Sequence, residues 1–273
     1  MGSGCARGSG IASRRGGLRI DVKAILTYHS IDDSRSVVSL STAELDRQLG
    51  TLKSRGVRIV PLTALRLVPP DVDAVALTFD DGFENFATAA ASVLLAHTAP
   101  ATVFVIPSRV GSTNDWESAD SRAIVPRLSL MSWAQIAEVR SQGFDIGGHS
   151  QTHRSMKGLE PDLLEREVSE SAASIKERVG AEAAAFAFPY GDYDDAAIAA
   201  VARRYSLACT TDFGLLSETD SPHALPRLDM YYFRSGRMLA SYGSLQFKAF
   251  VAGRGMIRRL GSLLRGGLVG SNR

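Results

Sequence analysis

The chain has 273 residues, of which 45% are hydrophobic and 22% charged, and its 31 Lys+Arg against 29 Asp+Glu leave a formal charge of +2. These proportions exclude a disordered chain, a collagen-like repeat and a coiled coil, and the length suffices for one large domain or two small ones. Basic residues cluster only at the two ends, so no basic stripe marks a nucleic-acid partner.

Residues 1–20 are rich in Gly, Ser and Arg and are expected to form a disordered tail, because such a composition buries too little surface to offset its ordering entropy. Neither this tail nor any later stretch carries the apolar run of a signal peptide or of a spanning helix, which takes about 18 residues. A cytoplasmic protein is therefore expected, at most peripheral to the inner face of the membrane. The two cysteines, Cys5 and Cys209, supply neither a disulfide framework nor a four-cysteine metal site.

From residue 22 onward, strand-length apolar runs alternate with amphipathic stretches of helix length. The pattern predicts a strand over 22–28, a helix over 42–55 and a strand over 57–61. Strands over 74–79, 101–106, 144–147 and 184–188 follow, each paired with a helix, over 84–97, 132–142, 161–179 and 193–204 in turn, before a last short strand over 207–211. Ser41 with Glu44, and Ser132 with Gln135, have capping-box spacing. Residues 107–127 show no periodicity and read equally well as a functional lid or a solvated insertion.

Strands alternating with helices imply parallel units joined by right-handed crossovers, and about seven of them in one chain point to a barrel. Residues 21–235 are assigned to that barrel and 236–273 to a C-terminal helical extension. Over 245–268 the extension mixes Phe247, Phe250, Val251, Met256, Ile257, Leu260, Leu263 and Leu264 with Lys248, Arg254, Arg258, Arg259 and Arg265. Such a basic amphipathic helix can lie on an anionic membrane or pack on the barrel with a solvated basic face.

Four polar segments stand at the carboxyl ends of predicted strands. Asp80-Asp81-Gly82 follows the run at 74–79 and reads as a pair of acids at a barrel mouth or as helix-entry punctuation. His149 and His153, two of the five histidines, have the i, i+4 spacing that turns two imidazoles toward one ion; an exposed polar loop is the alternative. Phe188-Pro189-Tyr190-Gly191 combines a fixed and a permissive backbone, which suits either a rigid N–H aimed at a ligand or an ordinary turn. His29 ends the first strand. A parallel barrel would bring all four to one face.

These segments together resemble a known family. Leu77-Thr78-Phe79-Asp80-Asp81-Gly82 is similar to the first motif of the NodB-homology polysaccharide deacetylases, His149-Ser150-Gln151-Thr152-His153 to the second, and Phe188-Pro189-Tyr190-Gly191 to the third. Tyr28-His29-Ser30-Ile31, Ala101-Thr102-Val103-Phe104-Val105 and Gly143-Phe144-Asp145-Ile146-Gly147 also fit members extended at the N-terminus. The resemblance covers roughly residues 22–230, with a NodB-homology core at about 72–235.

It implies a distorted (β/α)7 barrel that removes acetyl from N-acetylated sugars with a divalent metal, usually zinc. Carried over, Asp81, His149 and His153 become metal ligands, Asp80 the general base, the backbone N–H of Tyr190 an oxyanion donor, and Pro189 and Tyr190 substrate contacts. Two places depart from the pattern. Ala187 stands where the family carries an Arg that orients the base, a role that Arg227 can fill from another strand. The late segment 224–229 lacks the family's general-acid His, and His29 is assigned that role because it alone among the remaining histidines ends a strand. A catalytically silent carbohydrate-binding member, or a hydrolase of another amide or ester, are the competing implications.

Overall fold

The computed structural model describes residues 22–116 and 125–269, with side chains through Leu260. The tail over 1–20 and the middle of the predicted 107–127 loop lie outside the described residues. Seven parallel strands form the barrel: β1 Lys23–Tyr28, β2 Ala74–Phe79, β3 Ala101–Val105, β4 Asp145–Gly148, β5 Ala185–Ala187, β6 Leu207–Phe213 and β7 Leu225–Asp229. They pair in sequence order from β2 to β7, and β1 closes the ring by pairing with both β2 and β7. The β4–β5 contact is reduced to the single partner pair Gly148 and Phe186, which distorts the barrel there.

The strand expected over 57–61 is not a stave. Only Arg58–Ile59 is extended, and it lies against the start of β2, outside the ring. The seventh stave is β7, whose Pro226, Arg227 and Asp229 interrupt the apolar run by which strands were recognised. A small parallel pair, Ser30–Ile31 with Ser39–Leu40, was also not expected; it follows β1 and carries Val37 and Val38 to the barrel mouth.

Each strand is buried on both faces, and alternate residues serve two cores. Ile25, Ala74, Ala76, Phe104, Ala185, Ala187, Cys209 and Leu225 meet in the lumen, closed from below by Val60, Leu62, Leu65 and Val68. The intervening residues, among them Leu26, Val75, Leu77, Val103 and Phe186, face outward to the helices. Alanines dominate the lumen beside Phe104 because seven staves enclose little space, so large and small side chains must share each layer.

The helices are α1 Thr42–Ser54, α2 Ala91–Ala96, α3 Trp133–Ser141, α4 Pro161–Val179, α5 Asp195–Ala202 and α6 Leu245–Val269. Both capping boxes form, at the starts of α1 and α3. The helix expected over 84–97 is broken, since a π-helical turn at Phe86–Ala90 precedes α2.

Candidate active site

Residues continuing the lumen-facing rows of the strands emerge at the mouth, and these rows determine which polar groups meet. On β2 the row Ala74, Ala76, Thr78 leads to Asp80, and on β7 Leu225 leads to Arg227. Asp80 and Arg227 are 3% and 2% exposed and form a bidentate pair, Nη1 to Oδ1 at 2.7 Å and Nη2 to Oδ2 at 2.8 Å. Arg227 Nε donates to the Thr210 carbonyl at 2.8 Å, which holds the guanidinium in plane with the carboxylate. Burial pushes the Asp80 carboxyl up, but the charges of Arg227, His29 and His149 outweigh it and hold the group below its ordinary range.

Asp81 sits in left-handed backbone at φ 71°, followed by Gly82 at φ 69°. The turn gives the two neighbouring carboxylates different partners. Asp81 Oδ1 lies 3.3 Å from His149 Nε2 and 3.3 Å from His153 Nε2. His149 Nδ1 donates to the Ala187 carbonyl at 2.7 Å, so as a neutral ring it turns the lone pair of Nε2 on Asp81. His153 Nδ1 is 3.1 Å from the Tyr190 hydroxyl. Facing acceptors of this kind need a cation between them. A tetrahedral ion with bonds of about 2.0–2.1 Å holds its ligand atoms about 3.3–3.4 Å apart, so the three side chains fit a divalent metal. Burial raises the Asp81 carboxyl, yet the two imidazoles beside it draw it well below its usual value. Burial opposes charge on His149, but Asp81 and Asp80 more than compensate and raise it. For His153 burial prevails and the ring is lowered.

The i, i+4 spacing of the histidines operates in a tight loop and not in a helix. Ser150 and His153 are left-handed at φ 58° and 63°, and the His153 N–H donates to Ser150 Oγ at 2.9 Å. Glu167 of α4 grips the loop from beneath. Its carboxylate, 3% exposed, accepts from the Thr152 N–H at 2.9 Å and the Thr152 hydroxyl at 2.6 Å, and its carbonyl accepts from the Gln151 N–H at 3.0 Å. Sequence reading missed Glu167. The available signal was a carboxylate between Leu164 and Val168 on the buried face of an amphipathic helix.

Tyr190, between Pro189 and Gly191, is left-handed at φ 59°. Thr211 closes this turn by donating its hydroxyl to the Tyr190 carbonyl at 3.4 Å. A Cβ on Gly191 would stand 1.8 Å from Thr211 Oγ1, so only glycine allows the approach. His29 Nε2 is 3.8 Å from Asp80 Oδ2, and its ring is 27% exposed. The pairing of β1 with β7 brings His29 beside the late strand.

A cavity of about 280 Å³ opens over these groups, walled by His29, Asp80, Asp81, His149, His153 and Tyr190 together with Val38, Trp116, Phe188 and Thr211. The ring of Trp116 lies 4.4 Å from that of His153. Trp116 was also missed, for it falls in the aperiodic loop where sequence pattern says nothing of direction.

A family model described as polysaccharide deacetylase matches residues 68–208. The chain belongs to the polysaccharide deacetylase family. It is a hydrolase of that family. The match takes in Asp80, Asp81, His149, His153, Pro189 and Tyr190, while His29 and Arg227 lie on either side of it.

Among relatives, YxkH of Bacillus subtilis (strain 168) is 24% identical over 224 residues, spanning 80% of this chain and 75% of that protein. The poly-beta-1,6-N-acetyl-D-glucosamine N-deacetylase of Escherichia coli (strain K12) is 26% identical over 244 residues, spanning 74% of this chain but 36% of that protein. The structure of IcaB from Ammonifex degensii superposes with a TM-score of 0.69 at 24% identity, covering 82% of this chain and 97% of that one. This likeness supports the barrel as the shared fold. Among the described residues, no helix is long and apolar enough to cross a membrane.

Proposed function

We propose that this polysaccharide deacetylase is a metal-dependent de-N-acetylase acting on an N-acetylated sugar of a polysaccharide, oligosaccharide or glycolipid precursor. The observation that carries the reading is Asp81 Oδ1 placed 3.3 Å from both imidazole Nε2 atoms, with the Asp80 carboxylate beside it in one cavity. The name of the Escherichia coli relative, which specifies an N-acetylglucosamine polymer, supports the substrate class.

Asp81, His149 and His153 would hold the ion, for which zinc is the choice of two imidazoles and a carboxylate. When bound, such an ion polarises the acetyl carbonyl and acidifies water. Asp80 takes the proton from the attacking water; although both its oxygens are paired to Arg227, each retains a lone pair for the purpose. Arg227 keeps the base ionised and fixed in orientation. The oxyanion formed as the carbonyl carbon becomes tetrahedral is received by the backbone N–H of Tyr190, which the turn at Pro189 positions. His29 gives a proton to the nitrogen as the C–N bond breaks, releasing acetate and the free amine. A silent binding member would have no use for a paired base beside a complete ligand set.

The test is metal content of the purified protein, followed by acetate release from N-acetylhexosamine oligomers with and without chelator. Stoichiometric metal with chelator-sensitive acetate release is expected. A metal-replete protein that binds the oligomers without releasing acetate would make it a binding module.

A further inference from the structure

We infer that α6 is a membrane-docking helix, which lays its exposed apolar face on an anionic lipid surface and holds the catalytic mouth against that surface. The helix is anchored by Phe247 and Val251, 0% and 3% exposed. Further along it crosses the rim of the site. Arg258 donates from Nη2 to the carbonyl of Thr211, a wall of the catalytic cavity, at 3.3 Å, and its Nη1 lies 3.8 Å from Asp229 Oδ2 at the end of β7. A Cβ on Gly255 would stand 2.7 Å from the Phe213 carbonyl at the end of β6, so glycine permits the close crossing.

Past this crossing Met256, Ile257 and Leu260 are 65%, 64% and 55% exposed. At 100° per residue they share one arc of the helix. Arg259 borders the arc on one side and Arg254 on the other, while Arg258 points back to the barrel. The 25-residue helix carries five basic residues, Lys248, Arg254, Arg258, Arg259 and Arg265, and no acid. An apolar stripe flanked by cations alone matches acyl chains beneath anionic headgroups. A second copy of α6 would set cation against cation. The helix is also too polar to cross a bilayer, which leaves it lying in the interface. The docking does not depend on the chemistry assigned to the mouth.

The test is flotation of the full chain with phosphatidylcholine vesicles, with and without phosphatidylglycerol. Wild-type protein should float with the anionic vesicles only, and rising salt should release it. Replacing the exposed trio, Met256→Ser, Ile257→Ser and Leu260→Ser, should weaken the partitioning by at least about tenfold, and Arg259→Glu by about fivefold or more. Both variants should keep wild-type metal content and wild-type acetate release from a soluble oligomer, which separates failure of docking from failure of the deacetylase reading. Equal flotation of the serine variant and wild type, equal binding to neutral vesicles, or no flotation at all would each overturn the proposal. A vesicle-free dimer in light scattering that the serine substitutions abolish would give the face to a second copy instead.

Discussion

At the residue scale, the site consists of two adjacent carboxylates made unequal by their surroundings. Asp80 is held by a guanidinium that cannot leave its plane, and Asp81 by two imidazoles. On the proposed mechanism, replacing Asp80 by Asn preserves shape but removes proton acceptance, while Asp81 would still ligate. Turnover should fall about 10²–10⁴-fold while metal analysis shows full occupancy; unchanged turnover would move the base elsewhere. His29 is set apart by exposure, since its ring reaches the cavity while remaining 3.8 Å from Asp80. His29→Ala should lower amide turnover and leave metal in place, and an activated ester, whose leaving group needs no proton, should suffer less. Equal losses on both substrates would make His29 a positioning residue.

At the element scale, loops in costly backbone hold the proposed metal ligands, and α4 holds the histidine loop. Asp81, Ser150, His153 and Tyr190 all have positive φ without being glycine, a conformation that persists only where surrounding bonds enforce it. For the histidine loop the enforcement comes from Glu167 of α4. Glu167→Gln keeps one acceptor and loses the charge-assisted pair of bonds to Thr152, so metal affinity should fall about 10–100-fold, the range for lost support around ligands. A chelator competition reads this directly, and unaltered affinity would show that the loop holds itself.

The same logic governs the start of α5. Asp194 Oδ1 accepts from the Ala197 N–H at 2.9 Å as its N-cap, and Oδ2 accepts from the Gly158 N–H at 2.8 Å. Those two backbone bonds lower its carboxyl pKa. A carboxyl lowered by folding contributes stability above its unfolded pKa and loses it as pH falls through the folded value. Asp194→Ala should therefore cost about 1 kcal/mol near neutrality, with the gap to wild type closing in acid; urea unfolding at several pH values checks it.

At the scale of the whole molecule, the barrel and α6 share one outer core. Phe247 is fully buried against Phe233 and Tyr242, with ring centroids 5.9 Å and 4.8 Å away. Tyr242 in turn donates to the carbonyls of Val22 and Ala74, at the entry of β1 and β2. Phe247→Ala should cost about 3–5 kcal/mol, seen as a lower urea midpoint in one cooperative transition. A separate early transition would mean that α6 unfolds apart from the barrel.

How much of this was legible in the sequence follows from how far apart the interacting residues lie. The alternation of apolar runs and amphipathic stretches determined a parallel barrel, because each run must be buried on both faces. Local bonds determined the two capping boxes, and short spacing brought Asp80, Asp81, His149 and His153 into view as candidates. What the pattern could not carry was direction. Residues 57–61 and 225–229 differ in role because of register against β2 and β1, and apolar content alone favours the wrong one. The pairing of Arg227 with Asp80 spans 147 positions and arises only when β1 closes the ring between β7 and β2. Glu167 and Trp116 reach the site by folding back from a helix face and an aperiodic loop. The sequence by itself determined the kinds of groups available and the elements that bear them. Closure of the barrel decided which of those groups meet, since contact between distant strands depends on register and ring order, and neither is a local property of the chain.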